Sequence, residues 1–330
     1  MPPIAGLHRH PARRDSAYHP RMRRSFLPLA AACATAIAAL PGTGHLTAPA
    51  PQSPSSHTQV VLLGTGTPNA DPDRWGPAVA IVVDDEAYLV DAGVGIVRRA
   101  AATKLPALAA PKLRRVFITH LHSDHTLGLP DLMFSPWVLE RPVPLDVYGP
   151  SGIAAMTQHI EEAWSADIEM RLHGGEPQTT RNYQAITHDI HPGRIYVDAK
   201  VKIDAIAVQH GSWPEAFGFR FVTSDRTIVI SGDTRPTSAI SDACNGCDVL
   251  VHEVYSAAQL HTRPPAWQTY HAAFHTSTTE LAALAQKAQP TLLVLYHQLF
   301  WGATDADLER EIKAAGYGGR LISGKDLSVY

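Results

Sequence analysis

Cysteine is scarce in this chain, with three among 330 residues. That is too few for a disulfide-built scaffold, and the one close pair, Cys244-Asn245-Gly246-Cys247, lacks the two further cysteines of a zinc knuckle. The alanine-rich apolar stretch at residues 27–40 is shorter than the ~20 residues that a membrane span needs. No internal repeat or strong break in composition divides the chain, so one catalytic domain is the simplest reading. A basic arm is also missing, although binding of long nucleic acids depends largely on cationic contacts to phosphates. No flavin-binding domain accompanies the chain either, which argues against a metal oxidoreductase of the flavodiiron kind.

The amino-terminal segment is different in kind. Arg23-Arg24-Ser25-Phe26-Leu27 precedes the apolar stretch, and Pro41-Gly42 ends it, which is the layout of a bacterial export signal with twin-arginine character. Met22 is an alternative start. Residues 1–48 are therefore expected to be an export signal, residues 49–57 a Pro/Ser/Ala-rich linker, and residues 58–330 the working domain, in the periplasm or secreted. Removing residues 1–48 takes away six Arg and one Asp, so 22 basic side chains face 30 acidic ones, a net charge of about −8. That balance repels polyanions, and no nucleic-acid partner is expected. In an oxidising compartment Cys244 and Cys247 read as a structural disulfide rather than a redox pair.

Periodicity predicts strands at 59–63, 78–83, 87–90, 145–148, 201–208, 216–222, 227–230, 249–252 and 291–296, and helices at 96–103, 152–164, 278–288 and 305–315. The strands fall into two groups, each followed by helices. This points to an α/β fold with two sheets packed face to face and helices outside.

The chemistry is concentrated in His120-Leu121-His122-Ser123-Asp124-His125. The apolar run Arg115-Val116-Phe117-Ile118-Thr119 before it reads as a buried strand, so the cluster sits where a strand ends. In extended chain His120 and His122 point the same way, while Asp124 and His125 lie past the bend and face a second point nearby. That spacing suits two metals. Imidazole nitrogen with carboxylate oxygen is a zinc-like donor set, and Mn2+ or Fe ions fit the same geometry. Further donors stand at the ends of apolar runs: His210 after Val208-Gln209, Asp233 after Ser231-Gly232, and His297 after Leu295-Tyr296.

With these residues the chain resembles the metallo-β-lactamase superfamily, in particular its ribonuclease Z-like and arylsulfatase-like branch. Residues 58–325 carry the resemblance through Leu63-Gly64-Thr65-Gly66-Thr67-Pro68, Asp91, the cluster at 120–125, His210, Ser231-Gly232-Asp233-Thr234, His252-Glu253, His275-Thr276-Ser277 and His297. The resemblance implies a four-layer αββα sandwich with two metals at the sheet edge. His120, His122 and His210 would hold one metal, Asp124, His125 and His297 the other, and Asp233 would bridge them. Asp91 would orient a ligand imidazole from behind. Glu253 and His275 resemble the branch's proton-delivering pair, with Glu253 keeping the imidazole charged. The branch is often dimeric, so a homodimer is open.

Two divalent cations sharing a water lower its pKa toward ~7 and neutralise charge building on a phosphate, sulfate or carbonyl group. An exported dinuclear zinc hydrolase of a small ester follows, with a phosphodiester favoured because an alkoxide leaving group needs the proton that Glu253 and His275 would supply. An aryl sulfatase, or a lactonase or β-lactamase, competes on the same metals. A periplasmic zinc-binding protein without catalysis is the non-enzyme alternative. Transfer-RNA maturation fits poorly, because residues 172–197 lack a Gly-Pro and Lys-rich arm. Trp75, Trp137, Trp213, Trp267, Phe274 and Trp301 are expected either to wall an aromatic pocket or to make dimer contacts, and residues 263–271 to form a lid in which His271 either touches substrate or faces solvent.

Overall fold

Strands apolar on both faces explain the architecture. In β1 (Thr58–Gly64), Val60 and Leu62 face one core while Val61 and Leu63 face another, and all four are fully buried. A strand covered on both sides reads as an unbroken apolar run rather than an alternating one. The structure, a computed structural model, describes residues 57–177 and 181–330. These belong to one compact unit. The expected export signal, residues 1–48, and the linker up to residue 56 lie outside the described residues.

One sheet runs in the order β1, β2 (Ala78–Val83), β3 (Glu86–Val90), β4 (Arg115–Phe117), β5 (Leu145–Gly149) and β6 (Ala185–Asp189). The other contains β7 (Gly193–Val197), β8 (Lys202–Ala207), β9 (Phe217–Val222), β10 (Thr227–Ile230), β11 (Val249–Tyr255), β12 (Leu292–Leu299) and β13 (Leu321–Ser323), each strand beside the next. Both are mixed. Pairing is antiparallel through β1–β3 and β7–β10, and parallel through β3–β6 and β10–β13. With the first sheet come α1 (Ile96–Ala102), α2 (Ser123–Thr126), α3 (Leu129–Val138), α4 (Ile153–Ala163) and α5 (Ser165–His173). With the second come α6 (Ser238–Cys244), α7 (Ala257–Leu260), α8 (Pro265–Phe274), α9 (Thr278–Ala288) and α10 (Asp305–Ala314).

Three separate apolar clusters define the layers. One joins the first sheet to α1, α3 and α4, with Leu89, Ile96, Leu132 and Ile153. A second lies between the sheets, with Phe117, Phe219, Phe221 and Tyr296. The third lies beneath α6, α9 and α10, with Ile240, Leu281 and Leu308. Three apolar interfaces need four layers, so the fold is the expected αββα sandwich.

Several elements differ from the sequence reading. Helix α3 has no counterpart in the sequence reading: Pro130 sits in its first turn, where no N–H is needed, but Pro136 lies inside and hides the helix. Helix α8 replaces most of the expected lid, starting at Pro265. Strands β11 and β12 continue to Tyr255 and Leu299 because Val254, Tyr255, Gln298 and Leu299 are still buried. Trp137 is not a pocket residue: it is fully buried in the first cluster, with its ring on Tyr183. Cys244 and Cys247 are joined and buried at the end of α6. Among the described residues no helix is long and apolar enough to cross a membrane.

Candidate metal centre

The seven expected donors meet at one edge of the sandwich, drawn from both sheets. The loop after β4 supplies His120 and His122, and α2 turns Asp124 and His125 inward. From the second sheet His210 follows β8, Asp233 follows β10, and His297 lies within β12. His297 does not end its strand. It is the extra residue of a bulge opposite Glu253 and Val254, with φ +45°, and the bulge turns its imidazole into the site. Gly232, with φ +61°, precedes Asp233 where a Cβ would meet the Phe217 carbonyl oxygen at 2.4 Å, so only glycine fits this seam. There the Phe217 N–H donates to the Thr119 carbonyl oxygen at 2.9 Å and joins the two sheets.

Ring nitrogens and carboxylate oxygens converge on two neighbouring points. His122 Nδ1 lies 2.9 Å from His120 Nε2 and 3.1 Å from His210 Nε2. Asp124 Oδ2 is 3.5 Å from His125 Nε2 and 3.2 Å from His297 Nε2. Asp233 Oδ2 faces all sides, at 3.4 Å from His125 Nε2 and from His297 Nε2, 3.9 Å from His210 Nε2 and 4.0 Å from His120 Nε2.

Most of the outward nitrogens are tied off. His125 Nδ1 donates to Asp91 Oδ2 at 2.8 Å, and His210 Nδ1 donates to the Phe274 carbonyl oxygen at 2.7 Å. His120 Nδ1 meets the Thr119 hydroxyl at 2.9 Å, and that hydroxyl reaches Asp91 Oδ1 at 3.0 Å. Asp91 thus fixes two imidazoles, one directly and one through Thr119. Trp213 Nε1 lies 2.8 Å from His122 Nε2, a contact with no signal in the sequence; an imidazole that accepts there carries its proton on Nδ1, so ligation through Nδ1 requires that this hydrogen bond be given up. The buried His125 Nε2 and Asp233 Oδ1 have no hydrogen-bond partner. Buried polar atoms are normally paired, so inward lone pairs left bare fit divalent cations.

The charges agree with that fit. Burial holds His120 well below the usual histidine range, lowers His122, and takes His210 to about 4, leaving neutral imidazoles able to donate lone pairs. Burial opposes ionisation of Asp124 and Asp233, but His125 and His297 outweigh it, lowering Asp124 to about 2 and holding Asp233 well below the usual carboxylate range.

Glu253 and His275 stand beside this centre. Glu253 Oε2 is 3.4 Å from His275 Nδ1, and Glu253 Oε1 accepts from the N–H of Thr276 at 2.8 Å and of Thr234 at 3.3 Å. The expectation that Glu253 keeps His275 charged needs correction. Burial lowers His275 to about 4, and burial together with Asp233 pushes Glu253 well above the usual carboxylate range. The protein's own charges therefore leave His275 neutral.

A cavity of about 420 Å³ opens onto the donors and is bounded by His275, Trp267, His271 and Trp301. Trp213 and Phe274 pack instead behind the donors, against His122 and His210. Trp75 borders an adjoining apolar groove with Val94 and Leu127.

A sequence model of the Beta-lactamase superfamily domain matches residues 86–298, the span from β3 to the last donor. The chain belongs to the metallo-β-lactamase superfamily. Within this superfamily it is 32% identical to Ribonuclease Z of Mycobacterium bovis over 273 residues, which is 82% of this chain and 96% of that one. Two solved metallo-β-lactamase folds superpose with TM-scores of 0.65 and 0.62. They are YhfI from Bacillus subtilis, 18% identical and covering 83% of this chain and 99% of its own, and the short form of human tRNase Z, 22% identical and covering 82% and 98%. Such distant likenesses show the fold. Family and donor set together make the protein a metal-dependent hydrolase of the ribonuclease Z-like branch.

Proposed function

We propose that the protein is an exported hydrolase of small organic phosphodiesters that works with two divalent cations, zinc by preference. The carrying observation is the convergence of seven donors on one cavity edge with the Glu253 and His275 pair beside them. His120, His122 and His210 would hold one cation, Asp124, His125 and His297 the other, and Asp233 would lie between. Cations bound there supply an acidified water at neutral pH and positive charge for the phosphate oxygens. Asp91 keeps the His125 imidazole oriented and Thr119 that of His120. Glu253, its carboxyl raised by burial, would hold a proton beside His275 Nδ1, so His275 can give its Nε2 proton to the departing oxygen and take up the Glu253 proton at Nδ1. The backbone N–H groups of Thr276 and Thr234 hold the Glu253 carboxyl in place.

Export is supported by the paired arginines ahead of the apolar segment and suits the Cys244–Cys247 disulfide. A small substrate is supported by a cavity of about 420 Å³ and by the acidic balance of residues 49–330. The identity to Ribonuclease Z favours a second reading, cleavage of an RNA precursor, against which stands the lack of Lys in residues 172–197. Protein purified without added metal is assayed for bound metal, then with bis(p-nitrophenyl) phosphate, p-nitrophenyl sulfate, a lactone, a β-lactam and a precursor tRNA. Metal-dependent turnover of the phosphodiester is expected. Turnover of another substrate alone would replace this reading.

A further inference from the structure

The cavity has a second wall that the hydrolytic chemistry does not use. Trp267, Tyr270 and His271 come from α8, Trp301 from the loop after β12, and Arg263 from the turn before α8. The rings form one aromatic surface: His271 lies 4.5 Å from Trp301 and 5.7 Å from Trp267 between centroids. Trp267 is 50% exposed although it borders a cavity. Trp301 adopts φ +47°, a left-handed conformation that is costly for a bulky side chain and is kept where surroundings or function demand it.

Arg263 is fixed in the backbone and unpaired in the side chain. Its N–H donates to the Leu260 carbonyl oxygen at 3.0 Å, and its own carbonyl oxygen accepts from Gln268 Nε2 at 2.7 Å. Among the described residues no carboxylate pairs with its guanidinium, and its Nε is buried without a hydrogen-bond partner. The guanidinium instead stands 5.8 Å from the Trp301 ring. Arg74, in a neighbouring loop, shows the contrast: it bonds Asp305 at 2.8 Å, Gln298 at 2.9 Å and Thr65 at 3.0 Å. A planar cation held ready beside aromatic faces matches a flat ring that bears an anion.

We propose that this wall selects the substrate, receiving an aromatic ester group whose ring lies on Trp267 and Trp301 and whose anionic substituent, such as a carboxylate, pairs with Arg263. The inference rests on the phosphodiester reading for the bond that is cut, and recognition is tested apart from cutting.

Quenching of tryptophan fluorescence in the metal-loaded protein measures binding of 4-hydroxybenzoate and of uncharged 4-hydroxybenzamide. Wild type is expected to bind the carboxylate at least tenfold more tightly. Arg263→Gln removes that preference, Arg263→Lys keeps part of it, and Trp301→Leu weakens both ligands. If Arg263→Gln keeps the full preference, the carboxylate is bound by the metals and the proposal is overturned. In turnover, Arg263→Gln should raise KM at least tenfold for a diester of 4-hydroxybenzoate, with kcat unchanged. A binding preference that depends on Arg263, with no diester hydrolysed, upholds this inference and overturns the phosphodiester reading.

Discussion

Asp91 shows how much one carboxylate can organise. It holds His125 directly and His120 through Thr119, so its removal frees two imidazoles without removing a donor. Asp91→Asn is expected to weaken metal binding about 10- to 100-fold, read by competition with a chelating indicator. Binding at wild-type strength would show that the imidazoles need no such support. His275→Ala should keep its metal and lose rate mainly on esters with poor leaving groups, so p-nitrophenyl and alkyl esters must be compared side by side. The donors were legible because each is a polar residue placed against an apolar run, a pattern that packing alone does not favour. The Trp213 contact to His122 was not, since its partners lie 91 residues apart with nothing local to mark them.

At the scale of elements, proline and exposure concealed what periodicity could not reveal. Pro136 masks α3, and β6 and β7 are edge strands whose partly exposed faces give no alternation. The bulge at His297 has no sequence signal, because one extra residue in an apolar strand looks like any other residue. One buried cation secures the end of α3. Arg141 donates to the carbonyl oxygens of Leu132, Met133, Val143 and Asn182, and burial lowers its pKa to about 10. Arg141→Met leaves four acceptors, two of them in buried bonds, without that donor and should cost about 4 kcal/mol at roughly 1 kcal/mol per net hydrogen bond. Denaturant melts check this, and a loss under about 1 kcal/mol would mean that water takes over the carbonyls.

The whole molecule carries a pH signature. Burial holds His210, His252, His271 and His275 near 4, so between about 4 and 6.5 they are neutral when folded and protonated when unfolded. The unfolded chain then binds more protons, and stability rises with pH across that window. For His125 and His297 burial is outweighed by Asp233, and for Glu253 burial raises the carboxyl, so these three work in the opposite sense, but they are fewer. Chelated protein should therefore be less stable at pH 5 than at pH 7, and equal stability at both would contradict this balance. Reducing Cys244–Cys247, which closes a short loop, should cost about 2 kcal/mol.

The donors come four from one sheet and three from the other, across a seam where Thr119 and Phe217 already share a backbone hydrogen bond. Cations bound there would rivet the two halves of the sandwich together. Stripping the ions should quicken amide exchange at the tips of β4 and β10 and expose the edge to proteases. A cell starved of the metal would then lose the polypeptide itself, so ion supply would govern the protein's lifetime as well as its rate.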